Sequence, residues 1–246
     1  MISGFATSEG TKNFLKNSGI TSLNFKQIHN LTLSNVGVGT YLGEANEQTD
    51  ELVKNAVKQS ILSGINVIDT AINYRAQKAE RSVGKAISEL ISEGKISRDQ
   101  IFISTKNGYI TNDADVKQEF WEYIKSEYTQ KGVIKEGDVT SGYHCMTVTY
   151  LDDQLERSLK NLGLDCIDLM YLHNAVEGQI KDVSKEKFLE NLALFFRGYS
   201  VTRVLYVHKD YLWCTLRIPF VDYLPGSDAD HSSVGRVLVG IAHQVC

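Results

Sequence analysis

The sequence predicts an α/β protein of the (β/α) barrel type, with about four strand–helix units followed by an atypical tail. Three observations predict it. Short apolar runs alternate with amphipathic stretches, the pattern of parallel strands joined by crossover helices. Three successive runs end in a polar residue: Asp69, Lys106 and His173. In parallel α/β folds, side chains that carry chemistry gather at the C-terminal ends of strands. The first run, VGVGTY at 36–41, has Leu42 where a G-x-G-x-x-G loop needs its third glycine. An open dinucleotide-binding sheet is therefore disfavoured.

The elements follow in order. Residues 1–20 are polar and rich in Gly, Ser and Thr, and read as a loose lead-in. Residues 23–33 alternate around His29-Asn30, which predicts a hairpin with asparagine in the turn; His29 reads as a turn residue rather than a ligand. The two glycines of 36–41 read as permitting close approach of a backbone or a flat ligand. From 46 the pattern is helical, with Leu52, Val53, Ala56, Val57, Ser60 and Ile61 on one stripe and Gly64 closing it. Residues 65–68 form a buried strand ending in Asp69, and Tyr74 lies on the loop that leaves it. A helix runs from near Lys78 to Glu93, closed by Gly94. IFIST at 101–105 is the next strand. Lys106 directly follows it, where a charge must be paired or solvated.

Residues 107–148 form a long excursion of the kind that often serves as a lid or binding loop. Val116, Phe120, Ile124 and Tyr128 predict a helix over 115–130 within it. Phe120, Trp121, Tyr123 and Tyr143 are expected to shape a substrate pocket. His144-Cys145 ends the excursion, without further ligands at metal-binding spacing. Residues 149–161 form a helix, with Thr149 and Asp152 as a capping box. CIDLMYL at 166–172 is another buried strand ending in His173, and a further helix begins over 182–196.

Composition bounds the function. The 246 residues are 42% hydrophobic and 23% charged, which is ordinary for globular chains. A net charge of -4 and a pI near 5.9, with no basic block, argue against nucleic acid or an anionic membrane as partner. No run is long enough to span a bilayer and no secretory signal is visible. The four cysteines show no C-x-x-C spacing. A reduced, cytoplasmic protein is expected.

Asp69, Tyr74, Lys106 and His173 at one rim would make an acid–base site. A phenol is a poor acid at neutral pH. A nearby ammonium stabilises its anion, and a carboxylate holds that ammonium charged. A neutral imidazole can donate to a substrate oxygen. Such a set would protonate a carbonyl oxygen as hydride reaches the carbon. No side chain supplies hydride, so a nicotinamide cofactor is implied.

The motifs GVGTY at 37–41, GINVIDTAINY at 64–74, AERSVGKAI at 79–87, FISTK at 102–106 and LERSLKNLGLDCIDLMYLHN at 155–174 resemble the aldo-keto reductases. The resemblance covers about residues 20–196. It implies a (β/α)8 TIM barrel that binds NADPH in extended form without a Rossmann motif, with NADH not excluded. It implies reduction of a small aldehyde or ketone to an alcohol. The family's catalytic tetrad falls on Asp69, Tyr74 as proton donor, Lys106 as the residue that stabilises its anion, and His173 as the residue that orients the carbonyl. Thr40, Tyr41 and Asp69 would lie near the nicotinamide, and His173 and Asn174 near the substrate. The hairpin would plug the barrel bottom. A non-catalytic binding or regulatory subunit on the same scaffold is the competing expectation.

The resemblance ends near Phe196, which divides the chain into a family-like part, 1–196, and an atypical tail, 197–246. Both prolines lie in the tail, and no glutamate follows Glu190. The chain beyond Leu172 is too short for four further units of about 30 residues each. The tail is expected to be an out-of-frame end, with a divergent or domain-swapped tail as the alternative, leaving the barrel incomplete. Half a barrel has open sheet edges and an unclosed core, so this chain is expected to be poorly stable alone and weak or inactive. Within it, 201–207 and 216–221 read as strands, and the run at 234–239 supplies no recognisable phosphate site.

Overall fold

Sequential pairing of parallel strands decides the architecture. The computed structural model describes residues 1–198 and 204–209. Strands β1 (Phe25–Ile28) and β2 (Leu31–Ser34) form an antiparallel hairpin. Its turn residues His29 and Asn30 both have positive φ, 46° and 65°, as a two-residue hairpin turn requires. Strands β3 (Val38–Gly39), β4 (Val67–Asp69), β5 (Phe102–Asn107), β6 (Ile167–Leu172) and β7 (Val204–Lys209) form one parallel sheet in sequence order. Right-handed crossovers between strands in unbroken order put the helices on one face. A doubly wound sheet needs a reversal of that order, and the described strands have none. The chain is therefore built as successive units of a barrel.

The two faces of this sheet carry different cores. Val67, Phe102, Leu169 and Tyr171 point to the inner face, where Leu31 and Leu33 of the hairpin and Ala6 cover them. Ile68, Ile103, Met170 and Leu172 point to the outer face. They pack with apolar residues of α2 (Glu47–Leu62), α3 (Lys78–Ser92) and α5 (Val148–Leu162), among them Ile61, Ile87 and Leu155. Two residues further along each strand, the inner face passes from apolar to polar: Val67 to Asp69, and Phe102 through Ser104 to Lys106. The register sets Asp69 beside Ser104 and Lys106 beside Tyr171. The plugged inner core thus ends directly beneath a polar rim. Gly84 lets α3 approach α5, because a Cβ there would stand 2.6 Å from the Leu162 carbonyl oxygen.

Several expectations are corrected. The lead-in is not loose: α1 (Ser8–Ser18) occupies it, capped by the Thr7 side chain accepting from Gly10 N–H and ended by left-handed Gly19. Phe14 from α1 packs against Phe25 of the hairpin. The helix expected over 115–130 is α4 (Phe120–Ile124), which continues as a π-turn over Lys125–Thr129. The cap of α5 is Thr147, with no side-chain capping bond, rather than a Thr149–Asp152 box. A short α6 (Ala175–Gln179) precedes α7 (Lys185–Gly198). β7 overlaps the strand expected at 201–207 and adds a fifth strand from the segment read as atypical. The strand expected at 216–221 and the run at 234–239 lie outside the described residues.

Candidate functional site

Three of the four expected residues are joined by one side chain. Lys106 leaves β5 on the inner face, and its Nζ lies 2.6 Å from Asp69 Oδ2 at the end of β4. It also donates to the Thr70 carbonyl at 2.9 Å and to Tyr74 Oη at 3.2 Å. The ammonium lies 4.8 Å from the Tyr74 ring centroid. Asp69 is held from its other side by Ser104 Oγ, which donates to Oδ1 at 2.9 Å. Burial works against the charge on Lys106, but Asp69 and Tyr74 outweigh it, so its pKa stands above the ordinary lysine value. The group is an ammonium throughout the physiological range.

His173 joins through its ring. It stands edge-on to Tyr74 at 5.6 Å and to Tyr109 at 5.1 Å between centroids. Its backbone N–H donates to the Asn107 carbonyl at the end of β5, which fixes the turn after β6. Nδ1 lies 3.0 Å from Asn73 Oδ1. That contact holds a proton on Nδ1; the amide turned over would hold it on Nε2. Burial, then the Lys106 charge, push its pKa down to about 3, so the ring is neutral.

The loop that carries Tyr74 is strained and tied. Arg75, Ala76 and Gln77 are consecutive left-handed residues, with φ of 49°, 48° and 75°. Such conformations persist only where surroundings enforce them. Arg75 bonds Asp50 and Ser82, and Gln77 donates to the Asn112 carbonyl.

The other expected residues are spread around this centre. Thr40 is buried and donates to Thr70 Oγ1 at 2.8 Å. Tyr41 is 66% exposed, with its ring edge-on to Tyr74 at 5.0 Å. Asn174 opens α6 and reaches Tyr109 Oη at 3.5 Å, a marginal contact. In the excursion, Trp121 and Tyr143 are exposed, with ring centroids 5.7 Å apart, while Tyr123 is buried and bonds Arg157. Tyr123 therefore belongs to the core rather than to a pocket wall. Ser104, Thr70, Asn73 and Tyr109 were not expected at the site. Ser104 had a signal, since it lies two residues before Lys106 and shares its face.

The Aldo/keto reductase family model matches residues 35–190. The chain belongs to this family. Among curated aldo/keto reductase relatives, an uncharacterized oxidoreductase, YtbE, of Bacillus subtilis is 34% identical over 136 residues, 55% of this chain and 35% of the relative. An NADH-specific methylglyoxal reductase of Escherichia coli is 29% identical over 148 residues, 58% of this chain and 39% of the relative. A crystal structure of an aldo/keto reductase from Klebsiella pneumoniae in complex with NADP and acetate matches at 19% identity with a TM-score of 0.45, covering 76% of this chain and 49% of that one. The chain spans roughly a third of the length of the curated relatives it matches, 35% and 39% for these two.

The rim of this family member has side chains whose chemistry would suit the reacting end of a nicotinamide. The rim holds a phenol, an ammonium, a carboxylate and a neutral imidazole, which can move protons but cannot donate hydride. Gly39, which pairs with Asp69, is exposed, and a Cβ there would meet no atom of the described residues within 4 Å.

His173 and the buried His144 behind it make acid stability testable. His144 is fully buried, and burial pushes its pKa down to about 4. An unfolded histidine takes a proton below about 6.5. The folded rings refuse it until about 4 for His144 and about 3 for His173. The unfolded state therefore binds more protons in that window, and stability falls as pH falls from 6.5. The slope is about 1.4 kcal/mol per pH unit for each ring. Glu80 opposes this, because burial pushes its carboxyl pKa up. Urea midpoints at pH 7 and pH 5 are expected to show the loss, and His144→Gln is expected to remove about half of the histidine part.

Proposed function

We propose that this chain is a reductase that uses NADPH to convert a small aldehyde or ketone into an alcohol. The observation that carries the reading is Lys106 Nζ, 2.6 Å from Asp69 and 3.2 Å from Tyr74 Oη. An ammonium there stabilises negative charge developing on the phenol oxygen, and Asp69 keeps it charged and in place. Tyr74 gives its proton to the carbonyl oxygen. A C–H and an O–H bond form as the carbonyl π-bond breaks, and solvent returns a proton to the phenolate.

Thr40, Tyr41 and Asp69 would hold the nicotinamide end. When bound, the cofactor supplies the hydride. His173 and Asn174 would hold the substrate. With Nδ1 engaged by Asn73, Nε2 is left for the substrate oxygen. It accepts from an alcohol in the arrangement seen here, and donates to a carbonyl when the Asn73 amide is reversed. Trp121 and Tyr143 offer an exposed aromatic wall to a substrate.

Titrating the purified chain with NADPH, followed by cofactor fluorescence, tests the reading. Saturable binding is expected, with loss of nicotinamide absorbance once a generic aldehyde is added. No binding from a chain with a cooperative unfolding transition would refute the reading and leave a non-catalytic module of this family.

A further inference from the structure

His144 lies behind the site and takes no part in the proton chemistry above. Its ring nitrogens are both engaged, and their partners are specific. Nε2 lies 2.9 Å from the backbone carbonyl oxygen of His173. A carbonyl accepts and cannot donate, so Nε2 carries the hydrogen. Nδ1 lies 3.0 Å from the side-chain nitrogen of Gln179, on α6. A neutral imidazole has one donor and one acceptor, and this pair of partners satisfies both.

The surroundings are cut to the ring. Gly108 follows β5, and a Cβ there would overlap Nε2; a Cβ on Gly178 would stand 2.6 Å from Cδ2. Tyr109 stands edge-on to both imidazoles, 5.2 Å from His144 and 5.1 Å from His173. The segment that delivers His144 is tied down as well. Cys145 N–H donates to the Gly108 carbonyl, Ile110 N–H to the Tyr143 carbonyl, and Thr140 Oγ1 to the Gly178 carbonyl. Any buried imidazole needs partners for both nitrogens; what distinguishes this one is that its donor goes to the His173 carbonyl. Here the returning end of the excursion is fastened, through one ring, to the peptide that carries the substrate-side imidazole.

We propose that His144 is a positioning residue for His173. Its Nε2–H grips the His173 carbonyl and, braced by Gln179, fixes the turn that presents His173 and Asn174. The effect on turnover rests on the reductase reading; the effect on the ring does not.

Long-range proton–nitrogen spectra of the histidine rings in the full chain test this directly. One ring is expected in the neutral Nε2–H form, unchanged from pH 8 to pH 5 and lost on His144→Gln. The His173 signals are identified by their loss in His173→Gln. His144→Gln can place an amide donor near the same carbonyl, so the His173 signals are expected to stay. His144→Leu removes the donor, and the signals are expected to shift. Gln179→Leu leaves the ring but removes its brace, and the shift is expected there too. With NADPH and an aldehyde, His144→Leu is expected to lower kcat about tenfold or more, since small misplacements near the reacting atoms cost that much. The cofactor Kd is expected to hold, and His144→Gln to retain most of the rate. Unmoved His173 signals in Gln179→Leu, or a His144 ring protonated on Nδ1, would overturn the proposal. A chain without turnover would refute the reductase reading while the ring spectra still decide the role of His144.

Discussion

Tyr74→Phe is expected to lower turnover by about 10² to 10⁴, the range for loss of a positioned general acid. The substitution removes one oxygen and leaves its setting intact. The ring keeps its edge contacts to Tyr41 and His173. Lys106 keeps Asp69 and the Thr70 carbonyl as acceptors. Folding stability and cofactor affinity should therefore change little, and the loss should appear in kcat. Lys106→Met gives the contrasting pattern. It strips the counter-ion from Asp69 and the cation from the phenol together, so turnover and stability should both fall. Single-turnover absorbance decay at saturating NADPH, with urea midpoints alongside, separates the two. A Tyr74→Phe rate within twofold of the parent would remove Tyr74 as proton donor.

The site was legible to the extent that it follows strand alternation. Asp69 and Lys106 end short apolar runs, and a period of two places them on one face once the strands are parallel and adjacent. The hairpin was legible because its turn needs residues that tolerate positive φ, and asparagine does so readily. What was hidden depends on long-range contact. α1 rests on a Thr7 cap and on Gly10 fitting against the Asp99 carbonyl, and nothing in a polar, glycine-bearing stretch reports that fit. Tyr123 and Trp121 look alike in sequence, yet about half a turn of helix puts the first in the core and the second at the surface. The links from His144 to the His173 carbonyl and to Gln179 span 29 and 35 residues. A backbone acceptor leaves no mark on composition or spacing, so His144 could be read only as a histidine without metal-ligand company.

Asp168→Ala is expected to cost about 3 to 5 kcal/mol of folding stability, the penalty for leaving one member of a buried ion pair unpaired. Asp168 is fully buried on β6, and Arg98 is nearly so. Arg98 Nη2 donates to Asp168 Oδ2 at 2.8 Å, and Ile103 N–H donates to the same oxygen at 2.8 Å. Ala6 N–H donates to Oδ1 at 2.7 Å. One carboxylate thus joins the N-terminal segment, β5 and β6 at the end of the sheet away from the rim. Its removal leaves a buried guanidinium without a counter-ion and two buried N–H groups without their acceptor. The exposed Lys187–Glu190 pair is the control, since a solvated surface pair contributes about 0 to 1 kcal/mol. Small proteins are stable by about 5 to 15 kcal/mol, so the Asp168 change removes a large share and the Lys187 change does not. Because Ala6 covers the inner-face cluster of Leu31, Leu33, Val67 and Phe102, the hairpin plug should loosen first. Urea midpoints should record the loss, with hydrogen exchange fastest in β1 and β2. A loss under about 1 kcal/mol would mean that water replaces the carboxylate, and that the plug is held by apolar packing alone.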